Sequence, residues 1–304
     1  MIMKTDFKID FLCVGFQKCA TTTLDAILRQ HSSVCLPAIK EVHLGEWVDE
    51  CKNPLETIEQ KYFCGDYDGK KIGIIDPSLI DCPQVIYKYM GSRVKIIFLM
   101  RNPVDRLFSY YKMALKFGYS DIYKSTLYGK EVKNVSRSFR RYVREQLRRK
   151  NKSYSILWGN YIDYILDFSK YYSRDLIDIV FFEDFVSSPE MYTYEIFEFL
   201  SLPYESINFD LCVGEGNCIS KNNLCFKINS KIISKREEIR SNVNNSMKQF
   251  ERMDTVFQKV SKYTTESNCE KMDAYTRQRL EKYYGESKKR LEEFLNMDLS
   301  EKWF

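Results

Sequence analysis

Short apolar runs alternate with segments of helical spacing along the first two hundred residues. The run Ile9–Phe16 predicts a buried strand, and a polar turn follows at Gln17–Thr23. The next apolar residues, Leu24, Ile27 and Leu28, have the spacing of one helix face. Further runs predict strands at Lys71–Ile75, Val94–Met100 and Ile177–Phe182, and helices at Pro83–Met90, Val104–Lys116 and Met191–Leu200. Strands that alternate with helices predict a parallel sheet with helices on both faces.

The remainder of the chain is more polar and has mainly helical spacing. Two charged stretches, Ile232–Lys262 and Met272–Leu295, predict helices, whereas Asn208–Asn229 is the least regular stretch. The chain has neither an internal repeat nor a low-complexity linker. We therefore predict one α/β domain over residues 1–304, a three-layer fold with a central parallel sheet flanked by helices and a helical C-terminal portion, in which residues 208–270 form an irregular segment.

Composition bears on compartment and partners. The chain has 304 residues, 44% of them hydrophobic, and a net charge of only +5, which favours a mixed-charge surface and predicts no nucleic-acid partner. Its apolar runs are too short to span a bilayer, and Met1–Asp10 lacks the apolar centre of a signal peptide. The ten cysteines form no CxxC pair and only two histidines occur, so we expect reduced thiols, no metal and a cytoplasmic location.

A candidate anion-binding loop follows the first predicted strand. It reads Gly15-Phe16-Gln17-Lys18-Cys19-Ala20-Thr21-Thr22-Thr23. A loop between a strand and a helix N-terminus directs backbone N–H groups at one point, and lysine and threonine add a charge and hydroxyl donors. The Gly-Lys-Ser/Thr order of nucleotide triphosphatases is missing. The alternative is a structural role, in which Thr21 or Thr22 caps the helix.

A second candidate anion site follows the strand Val94–Met100. Arg101 comes directly after the strand, and Ser109 lies eight residues later on the predicted helix. Ligands of open parallel sheets bind at the carboxyl ends of the strands, where arginine can grip an oxyanion through a planar fork of donors. A magnesium-dependent kinase would instead need an aspartate at such a strand end. Two anion sites therefore predict a ligand with two separate phosphates, whereas the alternative for Arg101 is a surface salt bridge.

The two motifs together resemble the sulfotransferase superfamily that uses 3′-phosphoadenosine 5′-phosphosulfate (PAPS). The loop resembles its 5′-phosphosulfate motif, and the arginine and serine resemble its 3′-phosphate motif, in the same order. The likeness is strongest to carbohydrate sulfotransferases of the heparan sulfate type and their bacterial relatives, and it covers roughly the first two hundred residues. Further matches are Gly159-Asn160-Tyr161 and Phe181-Phe182-Glu183-Asp184-Phe185.

The resemblance implies roles for individual residues. Lys18 and Thr21–Thr23, with Cys19 and Ala20 in the same loop, would hold the 5′-phosphosulfate, and Lys18 would also stabilise charge on the leaving phosphate. Arg101 and Ser109 would hold the 3′-phosphate. Ala20 replaces a glycine that is common in the family, which predicts a slightly different loop shape because alanine disfavours positive φ.

The candidate base lies in the segment Lys40-Glu41-Val42-His43. Glu41 matches the base of a Glu-x-His segment in the heparan sulfate enzymes, and His43 is the rival because imidazole titrates near neutrality. In an extended segment the two side chains would point to the same side. The alternative is a solvated Glu41 and a packed His43. In Asp76-Pro77-Ser78, which resembles a family segment, Ile75 stands where lysine is common, so acceptor contacts are not carried over.

The motifs do not identify the acceptor. Carbohydrate is the leading class, and a sterol, a lipid or a small natural product is the alternative within the same reaction. Alternatives of another class are a P-loop nucleotide kinase and a non-catalytic protein that binds adenosine bisphosphate. A series of arginines at helical spacing could attract an anionic glycan or a membrane surface, so peripheral membrane contact stays open, and the alternative is a solvated face: Arg137, Arg140, Arg141, Arg144, Arg148, Arg149.

Overall fold

The computed structural model describes residues 7–44, 51–63, 67–117, 136–150, 152–212, 218–241, 247–267 and 270–304. Its residues pack as two compact units. The first unit comprises Met1–Arg101 with Asp163–Gly214, and the second comprises Asn102–Ile162 with Glu215–Phe304. The single domain expected over residues 1–304 stays a prediction.

Helices outnumber strands among the described residues. The strands are β1 Phe11–Cys13, β2 Val34–Cys35, β3 Lys71–Ile75, β4 Lys95–Met100, β5 Ile177–Phe181, β6 Cys218–Ser220 and β7 Thr265–Ser267. The α-helices are α1 Thr21–Leu28, α2 Pro54–Tyr62, α3 Pro83–Met90, α4 Pro103–Phe117, α5 Phe139–Arg148, α6 Tyr154–Leu157, α7 Tyr161–Phe168, α8 Phe182–Ser187, α9 Pro189–Leu200, α10 Asn223–Ser241, α11 Met247–Thr264 and α12 Ala274–Leu295. Short 3₁₀ turns lie at Pro77–Asp81, Arg174–Leu176 and Phe209–Cys212.

The first unit is built on a parallel five-stranded sheet in the order β2-β3-β1-β4-β5. Its central strands are apolar at nearly every position, as expected for a sheet that is buried on both faces. The α/β fold with a central parallel sheet is therefore confirmed. The order also places the carboxyl ends of β3, β1 and β4 side by side, which is the edge where ligands of such sheets bind.

Pairing along β1 continues beyond its last strand residue. The N–H of Val14 donates to the carbonyl of Ile97 at 3.1 Å, and that of Phe16 to the carbonyl of Leu99 at 3.2 Å. Between them, a Cβ on Gly15 would lie 2.1 Å from the backbone nitrogen of Leu99, so only glycine fits. Because of this close approach, the anion loop begins directly beside the end of β4.

The second unit is mainly helical, with a small antiparallel pair formed by β6 and β7. Its core gathers apolar faces of α4, α5 and α12, and includes Leu107, Tyr111, Tyr142, Leu280 and Tyr284. The prediction of an irregular stretch at Asn208–Asn229 is wrong at its end, because α10 begins at Asn223. The irregular segment expected at 208–270 is likewise wrong in large part, since α10 and α11 fill most of it.

Two features are missing from the part of the chain that the structure describes. The described residues contain no helix long and apolar enough to cross a membrane. They also contain no group of three or more His, Cys, Asp or Glu side chains that could hold a metal ion. Seven of the cysteines are free thiols: Cys13, Cys19, Cys35, Cys51, Cys82, Cys218 and Cys225.

Candidate functional site

The loop between β1 and α1 contains two residues in the left-handed region of backbone space. Lys18 and Ala20 both have a φ of 69°. Ala20 occupies the N-cap position of α1 and has no side-chain oxygen, so the alternative in which Thr21 or Thr22 caps the helix is wrong. The expectation that alanine changes the loop by avoiding positive φ is also wrong, because Ala20 adopts the conformation that glycine would provide.

The geometry suits an anion. A left-handed residue followed by a helical one makes a concave arrangement of backbone N–H groups, which binds anions in many proteins. Helix geometry leaves the N–H groups of Thr21 and Thr22 without an acceptor inside α1, and no acidic residue lies in its first turn. Lys18 is partly exposed, whereas Cys19 is buried, so of the two side chains only that of Lys18 is available at the loop surface.

Arg101 contacts this loop. Its Nη1 donates to the carbonyl oxygen of Lys18 at 3.3 Å, and its guanidinium carbon lies 4.2 Å from the ring centre of Phe182. The register between β4 and β5 pairs Met100 with Phe181, so the following residues of the two strands stand beside each other. The arginine is therefore held by an aromatic face and a backbone carbonyl at the edge of the loop.

Ser109 lies on α4 in the second unit, where it is partly buried. Its role at a 3′-phosphate stays a prediction. Three positions earlier on the same helix, Arg106 is fully buried and donates from Nη2 to the carbonyl of Ser155. Arg106 therefore belongs to the packing of the second unit.

Glu41 and His43 do not lie in an extended segment. Their φ values are 60° and 52°, so the expectation that strand alternation points them to the same side is wrong. Glu41 is partly exposed and its carboxylate pairs with the ammonium of Lys40, whereas His43 is buried. The N–H of Glu41 donates to the carbonyl of Ile75 at 3.3 Å, which fixes it at the carboxyl end of β3.

Asp76 anchors the same segment and was not singled out as a site residue from the sequence. It is fully buried, and its Oδ2 accepts from the N–H of Leu44 at 3.3 Å. Its Oδ1 accepts from the N–H and the hydroxyl of Ser78, at 3.0 and 2.7 Å. The N–H of Asp76 donates to the carbonyl of Cys13 at 3.0 Å, so this carboxylate ties residues 41–44 to the end of β1.

The Cys13 thiol, at the end of β1, is not poised as a nucleophile. Cys13 is the last residue of β1, and burial raises the pKa of its thiol to about 12. The thiol is therefore protonated near neutral pH, and thiols react as thiolates. Cys13 is therefore not a candidate for the chemistry at this edge.

Comparison with known families assigns the chain. A model of the sulfotransferase domain matches residues 8–284, which is nearly the whole chain. The chain belongs to the sulfotransferase family. Sulfotransferases of this family use PAPS as the sulfuryl donor, and this membership displaces the kinase alternative. No curated protein has a sequence that matches this chain.

One solved structure has a similar fold. A sulfotransferase from Alicyclobacillus acidocaldarius superposes with a TM-score of 0.63 at 18% identity, over 96% of this chain and 98% of that one. The sulfotransferase domain from the curacin biosynthetic pathway has a TM-score of 0.44 at 13% identity, over 92% and 99%. Mouse sulfotransferase SULT7A1, complexed with PAP, has a TM-score of 0.44 at 14% identity, over 68% and 62%. At 18% identity, the likeness to the Alicyclobacillus protein concerns the fold alone.

Proposed function

We propose that this sulfotransferase transfers the sulfuryl group of PAPS to a hydroxyl group of a carbohydrate. The observation that carries the donor part is the joint position of two anion-binding elements in the first unit. A loop with left-handed residues at Lys18 and Ala20 lies in contact with Arg101. Both elements leave the carboxyl ends of neighbouring strands, β1 and β4.

The residues fit a donor that carries two anionic groups. The backbone N–H groups of Thr21 and Thr22, their hydroxyls and those of Thr23, and the ammonium of Lys18 would hold the 5′-phosphosulfate. Arg101 would hold the 3′-phosphate, with its plane set by Phe182, and Ser109 would donate to the same group. Cys19 and Ala20 would take part through their backbone, since the Cys19 side chain is buried and Ala20 has no polar group.

Transfer requires a base for the acceptor and a cation for the leaving group. The bound donor supplies a sulfuryl group whose S–O bond to the 5′-phosphate breaks as the acceptor oxygen bonds to sulfur. Glu41, whose carboxylate pairs with the ammonium of Lys40, would accept the hydroxyl proton. Lys18 would stabilise the negative charge that remains on the phosphate oxygen. His43 is the rival base, although its burial limits its access to an acceptor.

The acceptor class rests on a narrower basis. The support for carbohydrate is the likeness of Glu41-Val42-His43 to the Glu-x-His segment of heparan sulfate enzymes. A sterol, a lipid or a small natural product is the alternative. Screening with PAPS and a panel of these four classes, scored by the appearance of adenosine 3′,5′-bisphosphate, would separate them.

The donor site can be tested before the acceptor is known. Calorimetric titration with adenosine 3′,5′-bisphosphate in the absence of magnesium should give one site per chain. Lys18→Ala and Arg101→Ala should each weaken binding by about tenfold or more, the usual effect of removing a charge-assisted hydrogen bond. Lys170→Ala, which removes an exposed lysine from the same unit, is the matched control and should bind as the wild type does. Wild-type affinity in both site variants would refute the proposed donor site.

A further inference from the structure

Helix α5 carries one apolar face and one face of arginines. Phe139, Tyr142 and Val143 are buried in the core of the second unit. The opposite, exposed face carries one carboxylate, Glu145, and four arginines: Arg140, Arg141, Arg144 and Arg148. Four of the six arginines predicted to form a basic helix face therefore lie on this face, whereas Arg137 and Arg149 lie outside the bounds of α5.

Part of this face lines a cavity. A cavity of about 300 Å³ is bordered by Ser138, Arg140, Arg141, Arg144, Tyr275 and Arg279. The last two residues come from the first turns of α12, so guanidinium groups of two helices surround one space. We refer to it as the α5–α12 arginine pocket.

No carboxylate of the described ranges forms an ion pair with the arginines of the pocket. Among the described residues, none lies within ion-pairing distance of the guanidinium groups of Arg140, Arg141, Arg144 or Arg279. Asp273 is close enough to Arg140 to be influenced by it: the Thr276 hydroxyl first, and then Arg140, hold the pKa of Asp273 below its usual value. Both oxygens of Asp273 already accept hydrogen bonds from Thr276, at 2.9 and 2.6 Å, in capping α12.

Local structure makes this accumulation of positive charge unfavourable for the protein alone. Arg140 and Arg144 are four residues apart on one helix, where like charges repel. Arg140 and Arg141 also lie in the first turn of α5, beside the positive end of the helix dipole, and no acidic residue accompanies them there. An anion in the pocket would relieve both repulsions.

The arginines are also held in place. The guanidinium carbon of Arg140 lies 4.7 Å from the ring centre of Tyr275, and that of Arg279 lies 5.9 Å from the same ring centre. Cation–π contacts of this kind limit the side-chain freedom that binding would otherwise remove. Arginine forks then offer pairs of N–H donors that match the oxygens of a phosphate or sulfate group.

We propose that the α5–α12 arginine pocket binds a ligand that carries two or more phosphate or sulfate groups. The volume is at the lower end of the range for small-molecule sites, which suits a small polyanion or the end of a larger one. The proposal uses no residue of the anion loop or of Arg101, so it stands independently of the proposed function.

The test is calorimetric titration of the full chain with two probes, inorganic tripolyphosphate and sucrose octasulfate, each in the presence of saturating adenosine 3′,5′-bisphosphate. One probe should bind in a 1:1 ratio, and the preferred probe tells whether phosphate or sulfate is the natural group. Arg144→Gln and Arg279→Gln should each weaken that binding by about tenfold. Arg148→Gln is the matched control, because it removes the same charge from the same exposed helix face outside the pocket, and it should change the affinity by less than about twofold.

Three results would overturn the proposal. The first is no binding of either probe. The second is an equal loss of affinity in Arg148→Gln, which would mean diffuse attraction to the helix rather than a site. The third is competition between the probe and adenosine 3′,5′-bisphosphate, which would make the pocket part of the donor site. Circular dichroism and an unchanged affinity for the bisphosphate show that each variant is folded.

Discussion

Ala20 has a left-handed backbone conformation, with φ 69° and ψ 20°. That conformation costs an L-residue about 1–2 kcal/mol. Replacing Ala20 with glycine would remove this cost, but the greater conformational freedom of glycine in the unfolded chain would lower stability by about 0.5–1 kcal/mol. Ala20→Gly should therefore leave the free energy of unfolding unchanged or raise it by up to about 1.5 kcal/mol. The same substitution inside α1, Ala26→Gly, should lower it by about 1 kcal/mol.

Urea unfolding monitored by circular dichroism measures both values. A loss in Ala20→Gly as large as that in Ala26→Gly would contradict the strain assigned to the loop. Binding of adenosine 3′,5′-bisphosphate to Ala20→Gly should match the wild type, because the variant preserves the direction of the backbone N–H groups at Thr21 and Thr22.

Glu41 and His43 compete for the role of base, and their different exposure separates them. Glu41→Gln keeps the shape of the side chain but removes the proton acceptor, so kcat should fall by about 10²–10⁴-fold. Affinity for adenosine 3′,5′-bisphosphate should stay within about twofold, since the donor residues are unchanged. His43→Gln, measured with the same acceptor, is the comparison. A larger fall in kcat for His43→Gln, with its fold intact, would assign the base to the histidine instead.

Some site residues could be predicted from the local sequence, and others could not. The loop sequence and the arginine after an apolar strand can be recognised without a structure, because both signals are contiguous. The stacking of Arg101 on Phe182 depends on the register of β4 with β5, which joins residues about eighty positions apart. The left-handed conformations of Glu41 and His43 have no sequence signal, since neither position is a glycine.

Some helices and strands could likewise be predicted from the sequence, and others could not. The strand Lys71–Ile75 and the helix Pro83–Met90 have the predicted bounds, because each is bordered by a strong stop or start: Asp76-Pro77 in one case and Pro83 in the other. The two-residue strand β2 was missed, since two residues cannot show a period. The start of α10 was missed because its first turns contain polar residues of low helix propensity.

Two glycines of the second unit should respond differently to replacement by alanine, because their surroundings differ. Gly285 lies inside α12, and a Cβ built there meets no atom within 4 Å. Gly285→Ala should therefore raise the free energy of unfolding by about 1 kcal/mol through helix propensity. A Cβ on Gly159 would lie 2.4 Å from the ring of Tyr284, so Gly159→Ala should lower it by about 1–3 kcal/mol.

Thermal and urea denaturation of the two variants beside the wild type provides the measurement. The free energy of unfolding should rise in Gly285→Ala and fall in Gly159→Ala, although both substitutions add the same methyl group. A gain in Gly159→Ala would mean that Tyr284 can move away without loss, which its hydrogen bond to the carbonyl of Ile156, at 2.9 Å, argues against.

The functional features divide between the two units of the chain. The anion loop, Arg101, Glu41 and the buried Asp76 belong to the first, and the arginine pocket and Ser109 belong to the second. Because Lys18→Ala and Arg144→Gln change different units, the donor site and the polyanion site can be disabled separately. In a double variant, each affinity should then fall by the factor seen in the corresponding single variant, as expected for substitutions that act independently.

Buried tyrosines in both units predict how the stability of the whole protein responds to alkaline pH. Burial raises the pKa of Tyr172 in the first unit, and those of Tyr111 and Tyr284 in the second. In the unfolded chain these phenols titrate near pH 10. Their contribution is therefore complete below pH 10 and is lost above it, because the unfolded state then releases protons that the folded state retains.

The free energy of unfolding should accordingly fall with a slope that approaches about 1.4 kcal/mol per pH unit for each such tyrosine above pH 10. Tyr284→Phe should reduce this slope by the share of one group, while lowering stability at neutral pH by about 1–3 kcal/mol because the carbonyl of Ile156 loses its donor. Tyr263→Phe, at an exposed position, is the control and should keep the wild-type slope. Urea unfolding at several values between pH 8 and about pH 11.5 measures the slopes, and equal slopes for Tyr284→Phe and the wild type would mean that the Tyr284 phenol ionises as readily in the folded protein as in the unfolded chain.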